Sequence, residues 1–167
     1  MNEDTPTNEE TPVNPEIEAL KKQAEANPGD CEVLLKLGQA WIAELNGEEA
    51  LAVFRQMVQL DPENPKAHFG LAQAFDALNR YEEMIDAFRE AAYLDPDWAE
   101  AQYNLGLAQM VVGEYDEAGE SFKKAIEIKP GYAEAHRVLS VVLGIQGETE
   151  ASRHHKQEAT RLNPEYR

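Results

Sequence analysis

Glu150, His154 and Glu158 follow one another at four-residue intervals, so on a helix they share one face. Two carboxylates and an imidazole at that spacing are a donor set for a weakly held divalent cation. Nothing evident would orient the imidazole from behind. Ordinary charges on an exposed helix explain them more simply, so no metal or other cofactor is expected. Cys31 opens a helix, a position that can activate a thiol, but no histidine or other base adjoins it. An inert or buried thiol is the expectation. His68 and His136 sit where packing between helices explains them better than catalysis. The sequence holds no Gly-x-Ser-x-Gly, no phosphate-binding loop, no Gly-x-Gly-x-x-Gly and no His-Glu-x-x-His. It reads as a protein that is not an enzyme.

The elements carrying these residues belong to a chain of 167 residues, long enough for one domain with a real core. Asp and Glu number 32 against 15 Lys and Arg, a formal charge of −17. A phosphate backbone or an anionic lipid surface would repel such a chain, so neither nucleic acid nor membrane is an expected partner. One cysteine permits no internal disulfide and no zinc ribbon. No apolar run approaches membrane-spanning length. The polar start, Met1-Asn2-Glu3-Asp4, is unlike a signal peptide, and with the lone thiol it points to the cytoplasm.

Prolines at 28, 62, 96, 130 and 164 recur every 34 residues, each after a segment that reads as a helix end. Proline disfavours helix in the residue before it and suits the start of the next element. Between prolines the apolar residues follow helical spacing, interrupted at Asn79, Gly113 and Gly147, and in the first unit later, at Asn46-Gly47. Each unit is therefore two antiparallel helices, expected near 31–45 and 48–60, 65–78 and 81–94, 99–112 and 115–128, and 133–146 and 149–162. Small residues share places: Gly38, Ala72, Gly106 and Ser140; Ala50, Ala118 and Ser152, with Met84 the exception; Ala91, Ala125 and Ala159, with Met57 the exception. They let helix backbones approach closely. Phe54, Phe88 and Phe122 share the large place, which Lys156 takes in the fourth unit.

Residues 97–130 carry Leu105-Gly106, Tyr115, Ala118, Phe122, Ala125 and Pro130 in the order of the tetratricopeptide repeat pattern. The chain resembles that family over about residues 29–164. The resemblance implies an all-α, right-handed α-solenoid of stacked antiparallel helix pairs, with repeats 29–62, 63–96, 97–130 and 131–164. Residues 15–28 form a leading helix that covers the first repeat, so the repeat domain spans 15–167. Residues 1–14, with four carboxylates and one valine, read as a disordered acidic tail.

Charge is uneven. Residues 1–28 carry −5, each of the first three repeats −4, and residues 131–164 none. The last helix is polar. It suits a solvated end cap, or a surface that stacks on another copy or a partner.

In this family the first helices line a concave groove, which places Glu32, Leu35, Gln39 and Ile42 there, then Lys66, Phe69, Gln73 and Asp76. Glu100, Tyr103, Leu107 and Met110 follow, then Glu134, Arg137, Val141 and Gly144. Leu35 and Val141 could equally be core; Phe69 and Tyr103 lean toward the groove. Its floor is then apolar and its rim acidic, which fits a protein segment with apolar anchors and some Lys or Arg. Phe69, Tyr103, Leu107 and Met110 are the expected anchors, with Gln73 and Asn104 able to bond a ligand backbone. Chaperone-tail binders of the family clamp carboxylates. Asn104 matches one clamp place, but the others hold Phe69, Gln73, Glu134 and Val138, so that activity is not expected. The reading is a scaffold or adaptor without turnover. The alternatives are a self-assembling structural protein and an acidic, chaperone-like binder of basic proteins.

Overall fold

The computed structural model describes residues 14–167; most of the expected N-terminal tail lies outside these. Nine α-helices account for nearly all of the described chain, and there is no strand among the described residues. They are α1 (Pro15–Ala26), α2 (Cys31–Ala43), α3 (Gly47–Leu60), α4 (Pro65–Ala77), α5 (Tyr81–Leu94), α6 (Ala99–Val111), α7 (Tyr115–Ile128), α8 (Ala133–Ile145) and α9 (Thr149–Leu162). A single 3-10 turn, Pro164–Tyr166, follows. Asn14 is the N-cap of α1, accepting from the Glu16 amide at 3.0 Å.

Each helix packs on the next, and α2 also meets α4, so the pairs stack as an all-α solenoid. The stack closes around phenylalanines. Phe54 and Phe122 are fully buried and Phe88 nearly so. A Cβ added at Gly38 would stand 2.5 Å from Phe54 Cζ, and one at Gly106 would stand 2.7 Å from Phe122 Cε1. The small residues on the first helices thus give the rings of the second helices their space.

The turns inside the pairs keep one phase. Leu45, Asn79, Gly113 and Gly147 have φ of 56°, 57°, 82° and 81°. This corrects the expectation that the first unit breaks later, at Asn46-Gly47. The left-handed residue there is Leu45, a type that strongly avoids that conformation, so residue type alone displaced the break. Asn46 instead caps α3 through the Glu49 amide, and Gly47 is buried against Leu78.

Candidate functional site: the flank of the first helices

The place before each first helix changes role along the chain. Asp30 and Asn64 cap α2 and α4, accepting from backbone amides at 3.0–3.1 Å. Trp98 and Tyr132 occupy the same place before α6 and α8 and make no side-chain cap. They stack instead on the preceding repeat. Trp98 lies on Phe69 with ring centroids 4.6 Å apart, and Tyr132 lies 5.0 Å from Tyr103. Tyr166 continues the series beneath the Arg137 guanidinium at 5.4 Å, and its hydroxyl donates to Glu134 at 3.2 Å. The sequence reading passed over this aromatic set, although the 34-residue step from 98 to 132 to 166 marks it.

Phe69 is only 8% exposed, wedged between Trp98 and the edge of Phe88 at 5.1 Å. It offers a ring edge rather than an anchor. That edge meets Leu35, Gln39, Gln73, Trp98 and Glu100 around a cleft of about 260 Å³ bridging α2, α4 and α6. Tyr103 is half-buried, 5.7 Å from Phe122, and Leu107 and Met110 are half-buried beside it. Burial is the main force raising the Tyr103 phenol's pKa, with Arg137 opposing and Glu134 assisting. Burial, then Glu100 and Tyr103, push Tyr132 up to about 12. Both phenols are therefore neutral donors at physiological pH. Asn104 Nδ2 already donates to the Glu100 carbonyl at 2.8 Å, which leaves its side-chain oxygen for a ligand.

Toward the intra-pair turns the first helices become apolar and open. Val111 is 59%, Val141 48% and Ile145 55% exposed. Leu107 with Val111, and Val141 with Ile145, are four residues apart and share helix faces. The corresponding places on α2 and α4 hold Gln39, Ala43, Gln73 and Ala77, so this strip belongs to the third and fourth repeats. Val111 and Ile145 were absent from the sequence-derived groove, though their spacing from Leu107 and Val141 could have found them. Arg137, Val141 and Gly144 also border a second cleft, of about 360 Å³, shared with Ser152, Lys156 and Tyr166.

The residues first considered for chemistry are engaged elsewhere. Glu150 takes Arg153 through both oxygens at 2.7 Å, and Glu158 takes Arg161 at 2.8–3.0 Å. No group of three His, Cys, Asp or Glu suited to a metal ion occurs among the described residues. His68 and His136 each approach the carbonyl of the proline that closes the preceding repeat, at 2.8 and 3.1 Å. Cys31 is half-buried against the core. No helix among the described residues is long and apolar enough to cross a membrane.

This architecture defines a helical-hairpin repeat protein whose first helices present one shared flank. Tetratricopeptide repeat models match residues 42–110 and 99–132. Among solved structures, MamA is similar at 30% identity and a TM-score of 0.81, over 89% of this chain and 87% of that one. MamA from Desulfovibrio magneticus RS-1, residues 41 to the end, matches at 21% identity and TM-score 0.78, over 89% and 84%. A thermophilic tetratricopeptide repeat protein of Thermus thermophilus matches at 21% and 0.73, over 89% and 81%. The last two likenesses concern the fold alone. A comparison with curated proteins finds no match. The chain belongs to the tetratricopeptide repeat family.

Proposed function

We propose that this chain is a non-catalytic scaffold that holds a partner's peptide or helix on the flank of its first helices. The observation that carries this reading is the exposed apolar strip of Val111, Val141 and Ile145, set beside half-buried Tyr103, Leu107 and Met110. A strip that remains wet in the free protein favours an occupant that removes it from water, and rotamer-poor aromatic and branched side chains lose little freedom on contact. Glu100 and Glu134 stand exposed at the other end of the same helices. The fitting segment is amphipathic, with apolar anchors and a Lys or Arg placed to meet these carboxylates. Phe69 supports the floor of the neighbouring cleft, where Gln39 and Gln73 can bond backbone; the Asn104 oxygen can do so farther along α6.

The test is comparative affinity capture from cell extract with the wild type, a Val111→Glu/Val141→Glu variant, and a Leu60→Glu/Tyr93→Glu variant. The second pair adds the same charge at exposed apolar places on the second helices. A protein retained by the wild type and the second variant, and lost from the first, is the expected result. Equal retention by all three proteins would remove the flank from consideration.

A further inference from the structure

The outward face of α9 carries Arg153, Lys156 and Arg161, joined by Arg167 beyond the 3-10 turn. With Thr160 and Pro164 they surround an open hollow of about 570 Å³. In the three preceding second helices the places of Arg153, Lys156 and Thr160 hold residues that pack into the stack. These are Leu51, Phe54 and Val58 on α3, Ile85, Phe88 and Ala92 on α5, and Gly119, Phe122 and Ile126 on α7, all buried or half-buried. On α9 a stacking face has become a wet one. Solvation alone would accept charges of either sign or none. The chain has 32 carboxylates and 15 cations, yet every charged replacement on this face is a cation.

Two of the four are neutralised within the helix: Arg153 by Glu150 and Arg161 by Glu158. Lys156 and Arg167 have no Asp or Glu carboxylate within 4.0 Å among the described residues. Beyond residue 130 the charges balance: Glu134, Glu148, Glu150, Glu158 and Glu165 against Arg137, Arg153, Lys156, Arg161 and Arg167. Residues 1–130 therefore hold the entire −17. An acidic partner is repelled along most of the solenoid and least opposed at this end, so the field orients its approach.

We propose that the outward face of α9 docks an acidic segment of a protein partner, with carboxylates at Lys156 and Arg167. The segment's apolar atoms would lie in the hollow against Pro164 and the methylene stems of the basic side chains. Lys156 also borders the cleft beside Arg137 and Val141, so the two readings are told apart at Arg167, which lines only this hollow, and at Val111, which lines neither cleft.

The probe is a fluorescein-labelled decaglutamate peptide, with labelled decalysine as the opposite-sign control, read by anisotropy at low and high ionic strength on the full chain. The wild type is expected to bind decaglutamate saturably at low ionic strength. Lys156→Glu/Arg167→Glu is expected to weaken it by about tenfold or more. Lys22→Glu/Arg55→Glu changes the net charge equally at exposed places on α1 and α3 and is expected to bind within about twofold of wild type. Three results would each overturn the proposal: no saturable binding, equal loss in both variants, or wild-type affinity in Lys156→Glu/Arg167→Glu. Sedimentation of the same proteins tests the other occupant. Association that disappears in Lys156→Glu/Arg167→Glu would assign the face to a second copy and overturn the partner assignment. Val111→Glu alone, which lies outside both clefts that Lys156 borders, should leave decaglutamate binding unchanged.

Discussion

The Trp98 indole stacks on the Phe69 ring, centroids 4.6 Å apart and planes 28° from parallel, although the two residues belong to successive repeats. The contact joins the floor of one repeat to the entrance of the next. It replaces a hydrogen-bonded cap of the kind Asn64 makes one repeat earlier, where Asn64 Oδ1 accepts from the Lys66 amide. A capping bond has been exchanged for aromatic area between repeats.

That exchange can be measured. Trp98→Ala should destabilise the solenoid by about 2–3 kcal/mol, since a half-buried indole is lost from an aromatic stack. Trp98→Asn loses the same stack but regains a cap, so it should recover about 1 kcal/mol relative to alanine. Urea unfolding of the three proteins gives both differences. Identical stabilities for Ala and Asn would mean that the place no longer accepts a cap.

Leu45 has φ 56° and is 85% exposed, so it bears left-handed strain without compensating burial. Leu45→Gly should stabilise the protein by about 1 kcal/mol, the cost typical of an L-residue in that region. A thermal shift upward checks it; a shift downward would show that the leucine side chain contributes to a contact.

Gly106 faces Phe122 closely enough that a Cβ would stand 2.7 Å from the ring, whereas a Cβ on Gly131 meets nothing within 4 Å. Gly106→Ala should cost about 1–3 kcal/mol by forcing the ring aside. Gly131→Ala should change stability by less than about 0.5 kcal/mol. Denaturant midpoints compare the pair directly.

His136 Nδ1 lies 2.9 Å from His155 Nδ1, and His136 Nε2 is 3.1 Å from the Pro130 carbonyl. If His136 donates to that carbonyl, its Nδ1 accepts from His155, and a second proton between the rings has no place. Burial, then His136, His154 and Lys123, lower the His155 pKa, with Glu158 opposing. A histidine whose folded pKa lies below its unfolded value stabilises the fold while neutral. That contribution is complete above the unfolded value of 6.5 and is lost as pH falls below it toward the folded pKa. Chemical denaturation of the wild type should therefore show stability falling below about pH 6.5. His155→Asn keeps a donor toward His136 and should flatten that slope. An unchanged slope in the variant would place the acid sensitivity elsewhere.

The 34-residue spacing of prolines made the helix pairs legible, because proline restricts its own backbone and that of its predecessor whatever the tertiary context. The large ring at 54, 88 and 122 opposite glycine or alanine was legible for a similar reason: volume must be conserved in a packed stack. The site was less so. Phe69 and Tyr103 share one helical place, and periodicity treats them alike, yet Phe69 is mostly covered by Trp98 and Phe88 whereas Tyr103 stays half-open. What separates them is the neighbouring repeat, which a single-helix pattern does not contain. Val111 and Ile145 escaped notice because apolar residues near a helix end are usually covered by the following turn, and here they are not. Leu45 was obscure because its conformation is dictated by the stacking of the pairs against its own preference.

The proposed seat of a partner segment, the apolar residues exposed on α6 and α8, can be tested at named positions. The most direct measurement is the dissociation constant of a captured segment, by calorimetry, for the wild type, Val111→Glu/Val141→Glu and Leu60→Glu/Tyr93→Glu. The flank variant should bind about tenfold or more weakly, because two charges would be driven into the apolar contact, and the second-helix variant within about twofold of wild type. Undiminished affinity in a folded Val111→Glu/Val141→Glu variant would rule these residues out as the binding site.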